Sequence, residues 1–126
     1  MVDALERIHA VLDESGVVVD TQPVSAQPPV VGSNGQLGRL DMREWAKTIA
    51  DVDARIVETI GRGLFSVVAD EQVIVTDVYD NLGELVEETS QWAGTCVPPE
   101  LAQQADAGGG AVELHQDVRV RVFARE

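Results

Sequence analysis

Cysteine, lysine and aromatic residues are nearly missing from this sequence, and each shortage excludes something. Cys96 is the only cysteine among 126 residues. An intrachain disulfide and a single-chain thiolate metal cluster are therefore excluded, and a reducing compartment fits the chain. Lys47 is the only lysine, and nine basic residues stand against 22 acidic ones, a formal net charge of -13. A field of that sign repels phosphate backbones and anionic lipid, so neither nucleic acid nor a membrane surface is an expected partner. Arg119, Arg121 and Arg125 lie close together, but Glu113, Asp117 and Glu126 dilute them. Aromatics make up 4% of the chain, so the core must be built mostly from Val, Leu, Ile and Ala. No apolar run approaches the length needed to span a bilayer. The start, Met1 to Glu6, lacks the basic residues and apolar stretch of a secretory signal. The expected location is the cytoplasm.

What is present suits one folded domain over residues 1–126. A chain of this length buries roughly two thirds of its unfolded surface, and a hydrophobic fraction of 44% is ordinary for a globular protein. Leu5, Ile8, Val11 and Leu12 recur at helical spacing, and Ser15-Gly16 stops that helix. Val17-Val18-Val19 is a continuous β-branched run, which predicts an interior strand over Val17 to Asp20. Pro23, Pro28 and Pro29 then favour an extended connection. Val30-Val31 and Leu37 to Leu40 flank Gly32-Ser33-Asn34-Gly35. The Asn-Gly pair predicts an exposed hairpin in which both residues accept positive φ. The G-x-x-G-x-x-G spacing of Gly32, Gly35 and Gly38, with no lysine, does not suit a phosphate-binding loop.

A second helix is predicted over Asp41 to Ile60, with Asp41 as its cap and Glu44 completing a capping box. Trp45, Ile49, Val52, Ile56 and Ile60 form its core-facing stripe. Leu64 to Val68 and Val73 to Tyr79 read as two strands around Asp70-Glu71, or as one long bent strand. Asn81 with Glu84 caps a third helix running to Trp92, and Pro98-Pro99-Glu100 opens a fourth. Gly108-Gly109-Gly110 ends that helix as a joint. Over Ala111 to Arg125 apolar and polar residues alternate. The alternation predicts the longest strand of the fold. It would bury Val112, Leu114, Val118, Val120 and Val122 and expose Glu113, His115, Asp117, Arg119 and Arg121. The predicted class is α/β (α+β): a mixed sheet of about four or five strands, a common sheet size, with helices packed on it.

The chemistry-bearing residues are sparse. His9 and His115 lie at opposite ends of the chain, and no metal site is expected. Asp51 and Asp53 are two apart on a helix and do not face each other, so they read as a solvated face. The serines lack a nucleophile turn, and Cys96 has no basic neighbour in sequence to activate it. No catalytic residue is assigned. Asp20, Thr21, Gln22 and Pro23 form the candidate ligand-binding segment, because they leave a strand at its carboxyl end, where open α/β sheets bind ligands.

The run Leu5-Glu6-Arg7-Ile8-His9-Ala10-Val11-Leu12, followed by Ser15-Gly16-Val17-Val18-Val19-Asp20, resembles a late stretch of class I S-adenosylmethionine-dependent methyltransferases. There a helix ending in IHRVLRPGG leads into the fifth strand. Asp13-Glu14-Ser15 stands here in place of the family's Arg-Pro-Gly. The resemblance implies that the helix from Asp41 separates the fifth and sixth strands. It makes Leu64 to Tyr79 the sixth strand, Ala111 to Arg125 an antiparallel seventh, and the helices between them an insertion. The family's glycine-rich cofactor loop and ribose-binding acid match no residue here, so the resemblance implies a distal half without a cofactor. Such a half is expected to act as a binding or assembly module, as a homodimer or with a partner protein chain. Its alternatives are one half of a split methyltransferase and a small-molecule-binding domain.

Overall fold

The computed structural model describes residues 2–105 and 109–126. In chain order they form α1 (Val2–Val11), β1 (Val17–Pro23), β2 (Pro29–Gly32), β3 (Gly35–Arg39), α2 (Arg43–Gly61), β4 (Phe65–Tyr79), α3 (Leu82–Thr89), α4 (Pro99–Ala105) and β5 (Val112–Arg125). The class is α+β, as the sequence predicts. Gly108, in the predicted glycine joint, lies outside the described residues. The five strands make one sheet, in which β5 pairs with β1, β2 and β4, and β2 pairs with β3. The pairings of β1 with β5, β2 with β3 and β2 with β5 are all antiparallel, in place of the expected mixed sheet.

Two compact units divide the chain: unit 1 is Met1–Pro23, Thr48–Val73 and Val118–Glu126, and unit 2 is Val24–Lys47 and Ile74–Asp117. In unit 1 the core is Leu5, Ile56, Phe65 and Phe123, with Ile8, Leu12, Val18, Val52 and Ile60 packed against it. Val11 is 82% exposed and drops out of the predicted α1 stripe. Leu5, Ile8 and Leu12 already define the buried side, and Val11 lies well round the helix from Leu5. In unit 2 the core is built around Val30, Leu40, Leu85, Leu101 and Leu114, with Trp45, Trp92 and Tyr79 at its edge. The predicted α2 stripe holds: Ile49 and Ile56 are buried, Trp45, Val52 and Ile60 half-buried, and Lys47 and Asp51 exposed.

Several local expectations are met and others corrected. Asn81 Oδ1 accepts the Glu84 amide at 2.9 Å, so α3 has its predicted cap, although the helix stops at Thr89 rather than Trp92. Helix α2 begins at Arg43, two residues after Asp41. Asp41 instead pairs its backbone with Cys96, and its carboxylate accepts the Arg43 amide at 3.1 Å from just outside the helix. In the β2–β3 hairpin only Gly35 takes a positive φ, at 120°; Asn34 does not. Because Asn34 keeps a negative φ, the turn is not the paired positive-φ type, and the ladder shifts register between Val30 and Val31. Of the two β4 readings the single strand is the one observed, and its 15 residues exceed the 14 of β5.

Two strand assignments change more. β1 lies at the end of the strand order and, among the described strands, pairs only with β5, so it is an edge strand and not an interior one. In β5 the buried positions are even-numbered from Val112 to Val118, then odd at Arg121 and Phe123. The strict alternation therefore breaks near Arg119-Val120. Unit 2 takes Val112 and Leu114 into its core, whereas unit 1 takes Phe123. A strand serving two cores cannot keep one phase when the second core needs the other set of positions.

Candidate functional site

The predicted segment Asp20 to Pro23 lies within β1, not beyond its carboxyl end. Directly opposed residues of antiparallel strands share a face. One face of the β1–β5 ladder therefore carries Val18 with Phe123, Asp20 with Arg121, and Gln22 with Arg119. The other carries Val17 with Ala124, Val19 with Val122, and Thr21 with Val120. These two faces have different chemistry.

The first is a closed charge network within unit 1. The Arg121 side chain, only 5% exposed, donates to Asp20 Oδ2 at 2.9 Å and to Asp53 Oδ1 at 2.6 Å. Its guanidinium carbon also stands 5.7 Å from the centre of the Phe123 ring. Arg119 donates through two nitrogens to Asp70, at 2.9 and 2.7 Å, and lies 3.5 Å from Asp53. The hydrogen bonds from Arg119 hold the Asp70 carboxyl below its usual range, and Asp70 in turn raises the Arg119 pKa. Gln22 Nε2 donates to Asp20 Oδ1 at 2.7 Å, while Gln22 Oε1 is buried without a hydrogen-bond partner among the described residues.

Sequence reasoning misplaced two members of this network. Arg121 was expected on the polar face and is buried; Asp53 was expected in solvent and is half-buried against Arg121. A signal existed for each. Phe123, the only aromatic of the segment, sits in the supposedly polar phase. Asp53 follows Ile49 by four and precedes Ile56 by three, which puts it on the buried side of the helix.

The network leaves little free chemistry. Two guanidiniums face three carboxylates, so most donors and acceptors are already used. The unit 1 cavity, lined by Leu5, Val18, Ile56, Thr59, Ile60, Phe65 and Phe123, measures about 10 Å³ and is not lined by Asp20 to Pro23. A volume of that order holds a single water at most. Thr21 is exposed and Pro23 half-buried at the end of the strand.

The remaining candidates are also engaged locally. His9 Nε2 lies 3.0 Å from the Glu126 carbonyl, with its ring edge-on to Phe65, and His115 lies 3.2 Å from Glu113. Among the described residues no three metal-ligating side chains gather at one place. Cys96 is exposed, and its backbone pairs with that of Asp41. Arg43 is chiefly occupied by Asp41, whose pKa its hydrogen bonds lower to about 2. Burial, and then a hydrogen bond with Glu88, push the Tyr79 phenol pKa up.

The second face of the ladder is uncharged, and its β1 residues lie in solvent. Val17 is 51% and Val19 61% exposed, with Thr21 exposed beside them. Val120, Val122 and Ala124 of β5 are half-buried on the same side. No protein-family model matches the chain, and no curated protein matches it. Among the described residues no helix is long and apolar enough to cross a membrane.

Proposed function

We propose that the chain is a methyltransferase-like assembly module, non-catalytic by itself, that joins a second copy through β1. One observation carries this reading. Among the described strands β1 pairs with β5 alone, and it holds Val17 and Val19 in solvent on a face without charge. An edge strand rich in β-branched residues presents unpaired N–H and C=O groups that favour pairing with another chain. No lysine lies in β1, and its only proline, Pro23, closes it. Asp20 is the only acid in the strand and already has Arg121 as its partner. Two copies can therefore meet along β1 without setting free carboxylates together, although each carries -13. Isologous dimers are also the commonest assemblies. The resemblance of residues 5–20 to a late stretch of that methyltransferase family supports the methyltransferase-like part of the reading. A single free thiol suits a reducing, cytoplasmic setting.

Amide exchange across Val17 to Gln22 tests the reading. Protection of these amides should rise with protein concentration, because their outward N–H groups become paired in the dimer. Exchange that stays the same across the concentration range would contradict it. Calorimetric titration with S-adenosylmethionine separates the module from a split enzyme. The isolated chain should show no saturable binding at micromolar ligand, and tight binding would favour the enzyme.

A further inference from the structure

We propose that the part of β4 in unit 1, Val67 to Val73, is a docking edge for an extended basic segment of a partner protein. Residues 67–76 of β4 are exposed in unbroken succession. A strand with one covered face alternates between buried and exposed positions. Unbroken exposure means that neither side of β4 is covered there. Val67, Val68 and Val73 keep 47%, 62% and 43% of their surface in water. β4 pairs only with β5 among the described strands, so its other edge is free. Neither proline nor lysine interrupts Val67 to Val73, the usual devices that blunt such an edge. Seven residues match the ordinary length of an added strand.

Charge selects the occupant. Asp70 and Glu71 stand at the middle of the stretch and, being successive, point to opposite faces. Asp70 is engaged by Arg119, while Glu71 forms no ion pair among the described residues. A second copy suits this edge poorly. The symmetric register that uses the whole stretch is centred on Asp70 and sets the two Asp70 carboxylates against each other. A slip to Glu71 does the same with Glu71, and a slip to Ala69 sets Val67 and Val68 against Glu71 and Asp70. Like charges directly opposed destabilise a ladder, whereas opposite charges support it. A segment alternating Lys or Arg with Val or Ile places cations opposite Glu71 and apolar side chains opposite the valines. The field of a chain carrying -13 steers such a segment inward.

The probe is a short, end-capped peptide of alternating lysine and valine, titrated against the whole chain at about 0.15 M salt, where charges are screened beyond about 8 Å. Binding should saturate, with amide shifts concentrated on Val67 to Val73. The same peptide N-methylated at every second residue keeps its charge but cannot extend the ladder. It should bind about tenfold more weakly, since several backbone hydrogen bonds are lost. Glu71→Gln, at an exposed position that leaves the core intact, should weaken the unmodified peptide about threefold. Equal binding of the N-methylated peptide, shifts located elsewhere, or no effect of Glu71→Gln would overturn the proposal. So would shifts at Val67 to Val73 produced by raising the chain's own concentration, which would make a second copy the occupant. The β1 dimer is read from β1 amides and stands or falls separately.

Discussion

Arg121 holds two carboxylates from two elements, Asp20 on β1 and Asp53 on α2, while its own side chain is almost out of water. Truncating it leaves both acids facing a poorly solvated gap, which is the costly way to break a buried pair. Arg121→Ala should therefore destabilise the chain by about 3 kcal/mol, read from urea unfolding. Asp53→Asn should cost about 1 kcal/mol or less, because Arg121 keeps Asp20 and Asp53 is partly exposed. Equal costs for the two substitutions would show that the network does not depend on the buried guanidinium. Gln22 adds a smaller burden, since its Oε1 is buried without a partner among the described residues. Gln22→Leu removes both that oxygen and the donor to Asp20, so thermal unfolding should shift little in either direction.

Elements whose signals are local were the legible ones. Helix α3 shows why: Asn81 satisfies the Glu84 amide and the Glu84 carboxylate accepts the Asp80 amide, all within five residues. Asn81→Ala should cost about 1 kcal/mol and lower the melting temperature without changing the assembly state. A neutral outcome would mean that packing of Leu82 and Leu85, both buried, holds the helix without its cap. The α2 stripe and the hairpin were legible for the same reason, each set by residues a few positions apart. β1 and β5 were not. A run of valines looks alike in sequence whether its neighbours cover both faces or leave one in water. The phase change in β5 depends on which core each half meets, and no alternation within the strand reports that. The charge network was hidden by distance: Arg121 and Asp20 lie 101 residues apart, and Arg119 and Asp70 lie 49 apart. The candidate segment Asp20 to Pro23 lies within β1, at the end of the strand order, where the sequence placed it just beyond a strand.

At the scale of the whole molecule, an acidic chain carries uncharged apolar strand surface that folding leaves open. Ordinary monomers scatter their exposed apolar residues, whereas here Val17 and Val19 adjoin a free backbone edge. The charge of -13 opposes association at long range, and its weight falls as salt shortens the screening length to about 10 Å at 0.1 M. Backbone pairing acts at contact and keeps its strength. Association should accordingly strengthen with moderate salt, the reverse of an interface built on ion pairs. Sedimentation equilibrium at several protein concentrations, on the native chain and on Val19→Lys, is the most direct test of β1 as the assembly edge. The native chain should pass from 13.6 kDa toward twice that mass as concentration rises, while Val19→Lys, with a cation in the middle of the edge, should remain at the single-chain mass. A native chain that stays at the single-chain mass throughout, or a Val19→Lys variant that associates as the native chain does, would contradict the account.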